Sequence, residues 1–338
     1  QFACKICNEV FILKSLFRLV KVFCLTSLCV FCILSCSNYG FFWGLFGEDD
    51  VDDRSSSMKN LQSEIPDFAS QTKASSSSYS VLILTDMHFG ATKEDIDEKA
   101  FLNWLEKRFQ DTDYSKIPRF AINLGDTADG GHDSEYRQYL DFEKKIKALA
   151  GKYLYGENDE TADSDRKFKV YGILGNHDLY NNGVTGFMKY MYPYNSSYFF
   201  HIDQNDDKSG FSYYFLDTAN GTTGKDQLDD FKSKIEADPR PKIVLTHYPV
   251  WAGGADGAFA FMILQNTMER NILLTYFAEN NVRQVYEGHA HANYGYDFTK
   301  FREDVIGSLR FSSRAKKQCA VCTVNEETKQ VSTEIIEF

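Results

Sequence analysis

Five short stretches of this 338-residue chain carry residue types that can do metal and acid–base chemistry. They are Asp86-Met87-His88, Gly125-Asp126-Thr127-Ala128-Asp129, Gly175-Asn176-His177-Asp178, His247, and His289-Ala290-His291. Each follows an apolar run that reads as a buried strand. Their polar groups would therefore sit at the carboxyl ends of strands, where open α/β sheets build their sites. Asp86 and Asp126 offer carboxylates, Asn176 a carboxamide, and His88, His177, His247, His289 and His291 imidazoles. That is more donors than one cation uses and about what two use, and the mixture of nitrogen with harder oxygen suits Mn, Fe or Zn. In Asp86-x-His88 the period-two spacing puts both side chains on one side of an extended segment. His289-x-His291 has the same spacing.

Taken in order, Asp-x-His, Gly-Asp-x-x-Asp, Gly-Asn-His-Asp, a lone His and Gly-His-x-His resemble the calcineurin-like metallophosphoesterases over roughly Val81 to Asn293. The resemblance implies an α/β fold, a four-layer αββα sandwich of two mixed β-sheets flanked by helices. It implies two metal ions, one held by Asp86, His88, Asp126 and His291, the other by Asp126, Asn176, His247 and His289, with Asp126 shared. A shared carboxylate lets two dications sit roughly 3.5–4 Å apart by cancelling part of their repulsion. A loop twist would have to separate His289 from His291, since the two go to different ions. The implied reaction is hydrolysis of phosphomonoesters or phosphodiesters by a metal-bridging hydroxide. His177 would assist the leaving oxygen, with Asp178 orienting its ring.

The elements that must position these residues read as follows. Strands are expected over Ser80–Thr85, Phe120–Leu124 and Lys169–Leu174, with helices over Glu94–Phe109 and from Asp133 or Ser134 to about Ala150. This βαβαβ order argues for an α/β fold with right-handed crossovers. Gly151 to Arg166 reads as an acidic loop. Farther on come strands at Tyr198–Ile202, Phe211–Leu216, Lys242–Thr246 and Val282–Tyr286, helices at Gln227–Ala237 and Asn266–Glu279, and a hairpin of Cys319–Val324 with Gln330–Ile336. Tyr180–Phe200, rich in Tyr and Phe, reads as core or lid packing. So does Trp251–Met262.

Smaller signals compete with blander readings. His201 reads as structural or solvent-exposed. His132, six residues after Asp126, could reach a phosphate. Asp129 reads as an acceptor behind a metal-binding residue, and Asp217 as a strand end. Gly253-Gly254-Ala255-Asp256-Gly257 lacks the strand and helix context of a phosphate cradle. Cys319-Ala-Val-Cys322 lies in a β-like run, where residues three apart face opposite sides, so two buried cysteines are expected rather than a redox pair.

The amino-terminal region differs from the rest. Six of the eight cysteines fall within residues 1–36, where Lys14, Arg18 and Lys21 precede an uncharged run from Val22 to Leu34. This pattern, ending in Ile33-Leu34-Ser35-Cys36, resembles a bacterial lipoprotein leader and implies export with a membrane anchor at Cys36. Met58 is the first methionine; a product begun there would be cytoplasmic. Residues 37–78, acidic and Ser-rich, read as a flexible tether, and 79–338 as the phosphoesterase domain. The net charge is −11, and beyond Cys36 there are 33 basic against 47 acidic residues. Such a body repels a phosphate backbone, which disfavours nucleic acid as a partner and a nuclease as the activity.

Departures from the pattern narrow the activity. Gly130 stands where protein phosphatases of this superfamily resemble one another in an Arg, and Asp129 where purple acid phosphatases carry Tyr. The nearest pattern is that of cyclic-nucleotide phosphodiesterase-like and broad phosphoesterases, which Leu216-Asp217-Thr218-Ala219-Asn220-Gly221 and Gln227-Leu228 also resemble. The partner expected is a small phosphoester. The competing reading is a surface lipoprotein that keeps the fold as a binding module, but an intact set of buried imidazoles and carboxylates is costly to retain unused.

Overall fold

The computed structural model describes residues 51–65, 77–91, 96–156, 167–203, 210–251, 262–310 and 316–338. The leader assigned to 1–36, the run 253–257 and most of Trp251–Met262 lie outside the described residues. In the five-stranded sheet, β2 (Ser78–Leu84), β3 (Pro118–Asn123) and β4 (Val170–Gly172) run parallel, and β11 (Gln318–Asn325) joins β2 to the hairpin strand β12 (Gln330–Glu337). The seven-stranded sheet has the order β1-β5-β6-β7-β8-β10-β9: Lys59–Asn60, Tyr198–Ile202, Phe211–Phe215, Lys242–Leu245, Val282–Glu287, Arg302–Val305 and Tyr294–Asp297. β6, β7, β8 and β10 are mutually parallel.

Side-chain alternation divides the apolar residues into layers. Val81, Ile83, Phe120, Ile122 and Tyr171 meet Phe200, Tyr213, Phe215, Ile243 and Leu245 between the sheets. The opposite side chains of the first sheet, Leu82, Leu84 and Ala121, pack under α2 (Glu98–Phe109), α3 (Asp133–Leu154) and α4 (Gly183–Tyr190). Val244 and Val285 of the second pack under α5 (Lys225–Ala237) and α6 (Thr267–Glu279). The result is the αββα sandwich. Cys319 and Cys322 are both buried and free, on opposite faces of β11.

Several sequence expectations change. Helix α3 runs on to Leu154, four residues into the stretch read as an acidic loop. Within 37–78, described residues 51–65 are not a tether. They form α1 (Val51–Ser55) and β1, which pairs parallel with β5. Val51, Met58 and Leu61 are buried, at 2%, 3% and 0% exposure. These apolar anchors, with the Arg54–Asp217 pair, seat a stretch whose average composition is polar.

Candidate metal centre

The five stretches converge at the carboxyl ends of β2, β3, β4, β7 and β8. Their loops are knitted to each other. Asp86 N donates to Gly125 O at 3.0 Å, His88 N to Asp126 O at 2.9 Å, and Gly288 N to His247 O at 3.0 Å. His289 N donates to Asp86 Oδ2 at 3.0 Å. Close approach at Gly175 needs the missing side chain, because a Cβ there would stand 2.2 Å from Asp126 N. Asp86, His88, Asp126, His289 and His291 all have positive φ, between 47° and 64°. Such non-glycine conformations cost on the order of 1–3 kcal/mol each and persist where surrounding bonds over-determine them. They supply the twist that turns two period-two pairs away from strand geometry, so His289 and His291 enter different groups.

The first group is Asp86, His88, Asp126 and His291, and the second Asp126, His247 and His289; within each, one candidate ligand atom per residue lies within 4.8 Å of the others. Asp126 belongs to both. His291 Nε2 is 3.1 Å from Asp86 Oδ1, and His88 Nε2 is 3.7 Å from Asp126 Oδ2. In the second group His247 Nε2 is 3.4 Å from Asp126 Oδ1 and 3.2 Å from Asn176 Oδ1. The structure thus brings together Asp86, His88, Asp126, Asn176, His247, His289 and His291.

Tautomers and charge suit cation binding. His247 Nδ1–H donates to Leu124 O at 2.8 Å, which turns Nε2 toward Asp126 and Asn176. His88 Nδ1 lies 3.2 Å from Asp129 Oδ1, within ion-pair range but without hydrogen-bond geometry. His289 Nδ1 is buried with no hydrogen-bond partner among the described residues. Burial, followed by the charge on His247, pushes His289 down to about 3 and keeps it neutral. Burial also opposes charge on His247, but the Asp126 carboxylate overrides it and raises His247 to about 9. An orphaned imidazole nitrogen beside buried carboxylates is a donor set that a cation would complete.

His177 sits at the rim. Its backbone N–H donates to Asp126 Oδ1 at 2.8 Å, and its ring Nδ1 to Asp129 O at 2.7 Å. Its ring stands edge-on to His88, with centroids 4.5 Å apart. Asp178 does not orient this ring, contrary to the expectation from sequence. Its buried carboxylate accepts from Gly175 N at 3.0 Å, Ala128 N at 2.9 Å, Thr127 N at 3.2 Å and the Tyr136 hydroxyl at 3.2 Å. The adjacent positions in sequence point apart because a 3-10 helix, His177–Asn182, begins here. Burial and the Asp126 charge raise Asp178 to about 6 against the pull of the three backbone donors. Asp178→Asn turns an amide toward those N–H groups and is expected to cost about 3 kcal/mol. Urea melts check this; an unchanged midpoint would show that the clasp is dispensable.

His132 is exposed just before α3, its Nε2 3.4 Å from Asn181 Nδ2 and outside both groups. His201 lies on β5, 3.4 Å from Asp203. Thr218, which sequence reading left without a role, accepts through Oγ1 from His247 N at 3.1 Å and Tyr248 N at 3.0 Å. Ser308 donates to Asp86 O at 2.7 Å. Glu287 accepts from Val250 N at 2.8 Å and so ties the His247 and His289 loops together. The position of Thr218 just past β6 was the available signal; Ser308 and Glu287 had none.

Two mixed sheets with a double Asp/His cluster at their strand ends define a metallophosphatase fold. The calcineurin-like phosphoesterase profile matches residues 79–293, and the chain belongs to that family. Among solved structures it is similar to a dimetal phosphatase from Danio rerio, with 13% identity, a TM-score of 0.51 and coverage of 75% of this chain and 98% of the fish protein. It is also similar to GAP50, the anchor in the inner membrane complex of Plasmodium, with 15% identity, a TM-score of 0.53 and coverage of 77% and 85%. No curated protein gives a significant match to the sequence. At these identities the structural likenesses speak to fold.

Proposed function

We propose that the protein is a phosphoesterase that works with two metal ions and hydrolyses small phosphomonoesters or phosphodiesters. The observation that carries this reading is Asp126, whose carboxylate belongs to both donor groups at once. Asp86, His88, Asp126 and His291 would hold one ion, and Asp126, Asn176, His247 and His289 the other. Bound ions supply Lewis acidity toward the phosphoryl oxygens and acidify a water nucleophile.

The protein's own contributions follow from the geometry. The Asp129 carbonyl and carboxylate hold His177 and His88 in register, and Asp178 fixes the loops that carry Asp126 and Asn176. With His177 Nδ1–H committed to Asp129 O, the free ring atom is Nε2, and it would hand a proton to the departing oxygen from the doubly protonated ring, which returns to the neutral Nδ1–H form. The surplus of acidic residues supports a small substrate over a polyanion.

Purified protein is expected to carry two transition-metal ions per chain and to cleave nitrophenyl phosphate, bis-nitrophenyl phosphate or both. Chelation should remove the metal and the turnover together, and added Mn²⁺ or Zn²⁺ should restore them. Metal analysis alongside the assay checks this. A metal-replete protein inert on both esters would overturn the reading.

A further inference from the structure

We propose that Arg54 is a positioning residue for the His247–His289 half of the centre, so that α1 and β1, upstream of the family match, belong to the working site. This rests on the two-ion reading above. Arg54 Nε donates to Asp217 Oδ2 at 2.7 Å and Nη2 to Asp217 Oδ1 at 2.9 Å, a two-pronged pair with side chains 7% and 0% exposed. Nη2 also donates to Asn220 Oδ1. The guanidinium therefore grips both ends of the turn that follows β6.

That turn supports the second donor group from behind. Asp217 Oδ1 also accepts from Ala219 N at 3.1 Å, and Gln227 brackets Asp217 through its backbone N–H and carbonyl, both at 2.8 Å. Between Asp217 and Asn220 lies Thr218, whose hydroxyl accepts from His247 N and Tyr248 N. The Tyr248 ring covers His289, with centroids 3.9 Å apart. A path of direct contacts thus runs from Arg54 through Asp217 and Thr218 to His247, and through Tyr248 to His289. It bypasses Asp86, His88 and His291. The Arg54 segment is itself anchored, since Asp52 Oδ1 accepts from Asp226 N at 2.9 Å at the start of α5 and Met58 N donates to Asp230 Oδ2 at 2.8 Å.

A planar fork can hold Asp217 and Asn220 together; an ammonium on a flexible stem holds one point. Disturbing the pair should therefore weaken the second ion more than the first. The test is to strip the full chain with chelator and titrate it with Mn²⁺ alone, reading stepwise affinities and the electron paramagnetic resonance signal of a coupled Mn pair. Wild type should take up two ions. Arg54→Ala should keep the first affinity within about threefold and weaken the second at least about tenfold, with the coupled signal lost at two equivalents; Arg54→Lys should fall between. Asp53→Ala, on the exposed side of α1, should match wild type. A role in stability alone would lower the melting temperature and leave the ratio of the two affinities unchanged, and that result overturns the proposal. If Arg54→Ala does not fold, Arg54→Lys decides: a weakened second ion supports the proposal and an unaltered one rejects it. If wild type takes up fewer than two ions, the two-ion reading fails first and this inference falls with it.

Discussion

Asp126→Asn is expected to lose most of its bound metal and at least about a thousandfold in kcat/KM. The carboxylate is the one group common to both donor sets, and its loss would take from the two proposed ions the negative charge they would share. It also weakens the acceptor for His177 N, so the rim loop loosens as well. A thousandfold is about 4 kcal/mol, the scale of the charge stabilisation that metal ions supply. Metal analysis together with steady-state kinetics checks both halves, with circular dichroism to establish that the variant folds. Two ions and wild-type turnover in Asp126→Asn would remove Asp126 from the centre of the mechanism.

His177→Ala should give the opposite signature: two ions retained, with kcat lowered roughly 10²–10⁴-fold on an alkyl phosphoester, the usual scale of a lost proton donor. On a nitrophenyl ester the loss should be far smaller, because that leaving group departs without a proton. The backbone N–H to Asp126 survives the substitution, so metal binding should not suffer. Equal losses on both esters would mean that the ring acts otherwise than as a proton donor.

The convergence of the five stretches was legible because each apolar run stops at its polar group, and a buried parallel strand can only present such a group at its end. The backbone sign was not legible. Nothing in the letters Asp or His announces φ near +50°, yet that sign sends His289 and His291 to different groups. Asp178 misled for a related reason: adjacency in sequence to His177 says nothing about direction once the chain turns. Helix α4 was missed because Gly183 and Gly186 are poor helix formers, yet a Cβ at Gly186 would stand 2.7 Å from the Tyr136 ring. Strand β10 hid behind Arg302-Glu303-Asp304, a charged string whose Glu303 and Asp304 are buried. Its Glu303 accepts from Trp251 N at 2.7 Å, a role that only the assembled sheet defines.

Strand β1 has a consequence for how the protein survives in solution. Its two residues cap the flank of β5, whose Tyr198, Phe200 and Ile202 are buried. A fragment cut at the start of the family match would leave that ladder of N–H and C=O groups bare beside apolar side chains, a template for pairing with a second molecule. The short strand thus acts as a guard against self-association, and a soluble fragment of this protein should begin no later than Val51.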